Sequence, residues 1–329
     1  MPGLPEIFDM SNPGDFDAGI SAAAAALRRG GLVGMPTETV YGLAADATSG
    51  GAVAAIYAAK ARPRFNPLII HASSVEAAER LAVLSPAALA LAGAFWPGPL
   101  TLVLPKRSPT VIADLATAGL DTVAIRVPAH PVAGALLATL DRPIAAPSAN
   151  RSGHVSPTTA DHVAADLGGG VAVILDAGPT GIGLESTIVG MADDRPRLLR
   201  AGGLARSDIE AVIGEPLAAP GTTGGAPVAP GMLRSHYAPA ARLRLDAGEV
   251  RPGEALIAFG SGLPAGATAA IRIVNLSEKG DLAEAAAGLF ATLRDLDAVA
   301  EAIAVAPIPD TGLGEAINDR LRRAAAPRD

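Results

Sequence analysis

Residues 214–241, GEPLAAPGTTGGAPVAPGMLRSHYAPAA, constrain this chain more than any other stretch, because they suit neither a helix nor a strand. Proline removes a backbone donor and fixes φ, and glycine raises the entropic cost of order. A segment of this length without periodicity is a linker or a functional lid. It divides the chain into two units, 12–213 and 242–329, each of a size that can hold its own core.

Both units alternate short apolar runs with helical stretches. In the first, helices are predicted over 18–29, 51–61, 75–83, 86–95, 131–140, 159–167 and 205–213, and strands over 32–35, 68–71, 100–104, 122–127 and 171–175. Residues 36–46, PTETVYGLAAD, read as neither a periodic helix nor a clean strand. The tail predicts strands at 242–245, 255–259, 271–275 and 302–306, with helices at 281–296 and 314–325. The expected class is α/β throughout. Polar motifs sit at strand ends, where ligands bind in such sheets. The tail lacks a GxGxxG fingerprint, so no dinucleotide is assigned to it.

Half of the residues are apolar, 18% are charged and 3% are aromatic, so the cores are expected to be Ala, Val, Leu and Ile. A net charge of −7 argues against a nucleic-acid coat, which needs a basic excess, but is compatible with a local basic pocket. With no cysteine there is no thiol nucleophile, disulfide or thiolate zinc site. The five histidines (71, 130, 154, 162 and 236) have no zinc spacing, and HExxH and GxSxG are absent. The N-terminus has no apolar signal core, and no apolar run approaches roughly 18 residues, so no membrane span is expected and the cytoplasm is the expected address.

Several motifs carry chemistry. In PTETVYGL (36–43), Thr37, Glu38 and Thr39 either face a polar ligand or line an exposed turn. In KARPRFNPLIIH (60–71), Lys60, Arg62 and Arg64 alternate at a proline break, as a phosphate or carboxylate clamp or as a solvated loop. Only three of the 26 basic residues are lysines, which makes Lys60 notable. Asn66 precedes Pro67 and is held extended. His71 ends its strand and is either a structural or a functional imidazole. In DTVAIRVPAHP (121–131), Thr122, Ala124 and Arg126 share a strand face, so Arg126 either meets an anion or snorkels to water. APSANRSGHVSPT (146–158) brings Ser148, Asn150, Ser152, Gly153 and Ser156 into a turn before a helix, as a phosphate cradle or a capping loop. Ser186 in ESTIVG and Arg200 in LLRAG lie at the ends of apolar strands. His236 and Tyr237 fall in the linker, where the ring either stacks on a base or anchors the segment.

In this order, PTETVYGL, KARPRFNPLIIH, WPGPLTLVL (96–104), DTVAIRVPAHP, APSANRSGHVSPT, ESTIV and LLRAG resemble the threonylcarbamoyl-AMP synthase family, whose catalytic unit is the YrdC-like domain. The linker segment APGMLRSHYAP (229–239) resembles the long, two-domain form. The resemblance implies a twisted mixed α/β sheet with a concave basic pocket, a Pro/Gly-rich linker and a small Rossmann-like α/β domain. It implies an enzyme that joins L-threonine, bicarbonate or CO2, and ATP into threonylcarbamoyl-AMP, with Mg2+ accompanying ATP and no other metal. Thr39, His71, Arg126, Ala146 (through its backbone) and Ser186 are implied on the threonine side. Arg62, Asn66, Thr122, Ser148, Ser156, Arg200 and Tyr237 are implied on the ATP side. Lys60, Arg62 and Arg126 are the implied catalytic cations. The product is expected to pass to a transferase acting on tRNA, with no strong nucleic-acid binding by this chain. Two other readings are a non-catalytic RNA-binding or ribosome-associated module, and carbamoyl transfer as in larger relatives with zinc-finger and acylphosphatase-like domains.

Overall fold

The computed structural model describes residues 4–63, 65–193, 195–219 and 237–327. Arg64, His236 and most of the Pro/Gly-rich segment lie outside the described residues. The large unit contains β1 (Glu6–Asp9), β2 (Val33–Met35), β3 (Gly42–Asp46), β4 (Ile69–His71), β5 (Leu100–Pro105), β6 (Thr122–Arg126), β7 (Ile144–Ala145), β8 (Val173–Asp176), β9 (Thr187–Gly190) and β10 (Arg197–Arg200). Its helices are α1 (Pro13–Arg28), α2 (Gly50–Lys60), α3 (Val75–Glu79), α4 (Pro86–Phe95), α5 (Pro131–Leu140), α6 (Ala160–Leu167) and α7 (Arg206–Ile213). The small unit contains β11 (Arg242–Arg244), β12 (Ala255–Ala258), β13 (Ile273–Asn275) and β14 (Ala302–Val305), with α8 (Leu282–Asp297) and α9 (Leu313–Ala324).

The large sheet is mixed and runs β1-β8-β2-β3-β7-β4-β6-β5-β9-β10; the small one runs β11-β14-β12-β13 and is wholly parallel. Side-chain alternation sorts the large sheet into two cores. Leu43 and Ala45 of β3 join Ile70, Leu102 and Ile125 beneath α2, α4 and α6. Ala44, between them, faces the core shared with α1 and α5. A third, smaller cluster of Ile69, Val103, Ala124 and Ile188 covers the same sheet face farther along, and there the strands run on into polar side chains.

The strand in residues 42–46 is the main departure from expectation. GLAAD has weak β propensity, yet all five residues are buried, because pairing with β2 and β7 decides the outcome. The edge strand β1 was also unexpected, since most of it is exposed and it carries no apolar run. Helix α3 is shorter than the predicted 75–83. At the borders of the Pro/Gly-rich segment, Ala218 pairs with Arg197 and Ala238 N donates to Gly153 O at 2.9 Å.

The units dock through ion pairs and close backbone contact. Arg206 pairs with Glu315, and Arg294 pairs with Asp166 at 3.0 Å. A Cβ added to Gly183 would lie 2.5 Å from the backbone of Ala286 and Ala287, so only glycine lets α8 approach this closely.

Candidate active site

A cavity opens where β4 and β6 end and the loops around residues 37–40, 146–148 and 185–186 meet. The parallel register pairs His71 with Arg126 across β4 and β6, so both project from one sheet face beside Ile69 and Ala124. Arg126 is held on three sides. Its Nε donates to Gly98 O at 3.1 Å, its Nη1 to Thr39 Oγ1 at 2.7 Å, and its Nη2 lies 2.6 Å from Glu38 Oε1. Thr39 Oγ1 in turn meets Thr37 Oγ1 at 2.8 Å, and Thr37 donates to Val40 O at 2.6 Å. The two threonines thus form a hydroxyl chain that fixes the guanidinium.

Arg200 reaches the cavity from the antiparallel strand β10. Its Nη2 donates to Ser186 O at 2.8 Å and Ser186 Oγ at 3.2 Å, and Ser186 Oγ meets Thr101 Oγ1 at 2.7 Å. Arg62 comes from the loop after α2 and donates from Nη2 to Pro67 O at 3.1 Å. Burial lowers Arg62 to about 10, with Tyr57 and Tyr237 opposing the shift, so it stays cationic at neutral pH. Three arginines within one buried space make an anion site.

Burial, and then the Arg126 charge, push His71 down to about 3. It is a neutral imidazole in working buffers, able to donate from one nitrogen and accept at the other. Its Nδ1 is buried without a hydrogen-bond partner, as are both Glu38 carboxylate oxygens and Asn66 Oδ1. Native proteins rarely leave such atoms unsatisfied. His71 is on the cavity wall, and its unpartnered ring nitrogen points to a polar ligand.

Of the thirteen residues to which the resemblance gives a role, nine line the cavity: Thr39, Arg62, His71, Arg126, Ala146, Ser148, Ser186, Arg200 and Tyr237, and Thr37 lines it with them. Four do not. Lys60 is fully buried beneath it, with Nζ donating to Ser148 O at 2.6 Å and to Asn150 O. Burial, with Arg62 adding to it, lowers its pKa well below the usual lysine value. Lys60 pins the 148–150 turn from behind. The Asn66 carbonyl accepts from Tyr57 at 3.0 Å, which supports the Arg62 loop. Thr122 shares the face of Arg126 but sits at the far end of β6, ~13 Å along a strand. Ser156 donates to Glu185 Oε1 at 2.5 Å.

Tyr237 is anchored. It is 1% exposed, its ring stacks on Phe290 at 5.5 Å, and the Arg320 guanidinium lies 5.1 Å from its centroid. Two residues of the site's surroundings escaped sequence reading: Glu185, which lines the cavity, and Arg320, which pairs with it. The first opens ESTIV, where only Ser186 was singled out. For the second a signal existed: Ala316, Ile317, Arg320, Leu321 and Ala324 form one buried helical stripe with an arginine in it.

Fold and cavity together define a two-sheet α/β protein whose larger sheet carries an arginine-lined anion pocket. A family model described as "Telomere recombination" matches residues 25–202, and one described as "Threonylcarbamoyl-AMP synthase, C-terminal domain" matches residues 204–326. The threonylcarbamoyl-AMP synthase of Bacillus subtilis is 45% identical, covering 95% of this chain and 94% of that one. The synthase of Pyrococcus abyssi is 44% identical, with 94% of each covered. Among solved structures, P. abyssi Sua5 complexed with L-threonine aligns with TM-score 0.84 and 43% identity, covering 93% of this chain and 94% of that one. The chain belongs to the Sua5 family of threonylcarbamoyl-AMP synthases, in its two-domain form.

Proposed function

We propose that this chain joins L-threonine, bicarbonate or CO2, and ATP into L-threonylcarbamoyladenylate, releasing pyrophosphate. The convergence of Arg62, Arg126 and Arg200 with neutral His71 in one cavity carries the reading. The names of the B. subtilis and P. abyssi relatives, and the threonine complex of the latter, support it.

The threonine amine adds to CO2 and loses a proton, giving a carbamate. A carbamate oxygen then attacks the α-phosphorus of ATP, and the bond from the α-phosphorus to the bridging oxygen breaks, so that pyrophosphate leaves. Such transfer depends on positioning and charge neutralisation more than on a protein nucleophile. Arg126 fixes the threonine carboxylate, with Thr39, Ser186 and the Ala146 backbone placing the rest of the amino acid and His71 hydrogen-bonding to it. Arg62 and Arg200 take phosphate charge, and Mg2+ arrives on ATP as part of the substrate. Ser148 orients phosphate oxygens directly. Lys60, Asn66 and Ser156 act from behind the wall, holding the 148–150 turn, the Arg62 loop and Glu185. Thr122 contacts the nucleotide only where ATP extends along β6. Tyr237 closes the space against water, which hydrolyses carbamates and acyl-adenylates.

No helix among the described residues is long and apolar enough to cross a membrane. A cytoplasmic location suits a reaction that consumes ATP and feeds tRNA modification. The labile product passes to a transferase that acts on the tRNA, while this acidic chain binds nucleic acid weakly if at all. Incubation with ATP, bicarbonate and threonine should release pyrophosphate only when threonine is present. RNA binding without that release would favour a non-catalytic module instead.

A further inference from the structure

Arg320 heads the fully buried side chains by size, and it crosses from one unit to the other. From α9 of the small unit, Nε donates to Glu185 Oε2 at 2.8 Å and Nη2 to Ala201 O at 2.9 Å, while Nη1 donates to Asp319 Oδ2 at 2.6 Å. Glu185 lines the cavity and accepts from Ser156 through its other oxygen. Tyr237, also on the cavity wall, lies under the same guanidinium.

Packing alone does not call for this residue. Ile317, Leu321 and Ala324 surround it on the buried stripe, and an apolar side chain there would avoid desolvating a charge. Docking of the units is already served by the Arg206–Glu315 and Arg294–Asp166 pairs. What the guanidinium supplies is a counter-charge. Without it, Glu185 would draw on Arg200, the other cation that acts on it, and so cancel part of the field with which Arg62, Arg126 and Arg200 attract an anion. A triphosphate feels that loss more than an amino acid with one carboxylate, because the repulsion scales with ligand charge.

We propose that Arg320 is a positioning residue for the nucleotide: by pairing Glu185 and seating Tyr237, the small unit completes a cavity that its own residue does not line. This rests on the reading that the cavity takes ATP.

The test uses the full chain as wild type, Arg320→Gln, Glu185→Gln and the double variant. MgATP and threonine affinities are measured separately by calorimetry, which needs no turnover, and threonine-dependent pyrophosphate release is followed on the same samples. Arg320→Gln should weaken MgATP about tenfold and threonine less than about twofold, and the double variant should return MgATP to within about threefold of wild type. Equal losses for both ligands, unchanged MgATP affinity, or a double variant no better than Arg320→Gln overturns the proposal. If Arg320→Gln does not fold, Glu185→Gln decides. It should bind MgATP at least as well as wild type, and a weakened affinity overturns the proposal. Wild type that binds MgATP but releases no threonine-dependent pyrophosphate contradicts the synthase reading alone; wild type that does not bind MgATP contradicts both.

Discussion

The Arg126 guanidinium holds the Glu38 carboxylate at 2.6 Å, and neither Glu38 oxygen has a hydrogen bond of its own. An arginine proposed to bind a substrate carboxylate therefore already carries one from the protein. Threonine has to displace it or share it. Arg126→Ala should cost threonine binding about 3 kcal/mol, roughly a hundredfold, as expected for a lost charge-assisted pair. Glu38→Gln should tighten it several-fold by removing the internal competitor. Calorimetric titration with threonine checks both, and unchanged affinity in Arg126→Ala would remove the clamp from the account.

Lys60 donates to the carbonyls of Ser148 and Asn150 from a fully buried position. Lys60→Met leaves those carbonyls without their donor, at about 1–3 kcal/mol for each buried group left unsatisfied. The variant should unfold at lower urea and bind MgATP more weakly through a displaced Ser148. Wild-type stability together with weakened MgATP would instead mean direct phosphate contact.

Gly202 lies so close to the segment entering β9 that an added Cβ would sit 2.3 Å from Glu185 O and 2.5 Å from Thr187 N. Its φ is not in the left-handed region, so the requirement is space and not backbone freedom. Gly202→Ala must push away the segment that carries Glu185 and Ser186. A loss of about 1–3 kcal/mol is expected, with a fall in affinity for both substrates. Urea midpoints and calorimetry would show it, and a variant neutral in both would contradict the packing described.

Part of this was legible beforehand. Runs rich in β-branched or apolar residues, such as LTLVL and TVAIRV, became β5 and β6, and the shared face of Ala124 and Arg126 follows from strand alternation. GLAAD was not legible, because alanine and glycine form a strand there only once neighbours pair with them. Only the resemblance brought His71 to the same side as Arg126; residue chemistry alone could not, because the pairing depends on the β4–β6 register. The rarity of lysine marked Lys60 as functional, yet its partners are backbone carbonyls, to which composition is blind. Glu185 and Arg320 stand 135 residues apart, and only the docking of α9 unites them.

His71 is neutral in the folded protein to about pH 3, against 6.5 for the free side chain. Between those values the unfolded chain binds a proton that the folded one does not. Its contribution is therefore present above pH 6.5 and lost as pH falls, by about 1.4 kcal/mol per pH unit. Urea midpoints of the wild type should decline from pH 6.5 to 5, and His71→Gln should flatten that slope even where it lowers stability overall. An identical slope in the variant would show that the imidazole is not buried in its neutral form.

The central claim is that one cavity holds threonine beside ATP and joins them through a carbonyl from bicarbonate. With isotopically labelled bicarbonate, ATP and threonine, mass spectrometry should find threonylcarbamoyl-AMP carrying the label, lost in Arg126→Ala. AMP or pyrophosphate formed without threonine, or no labelled adduct from active wild-type protein, would contradict it.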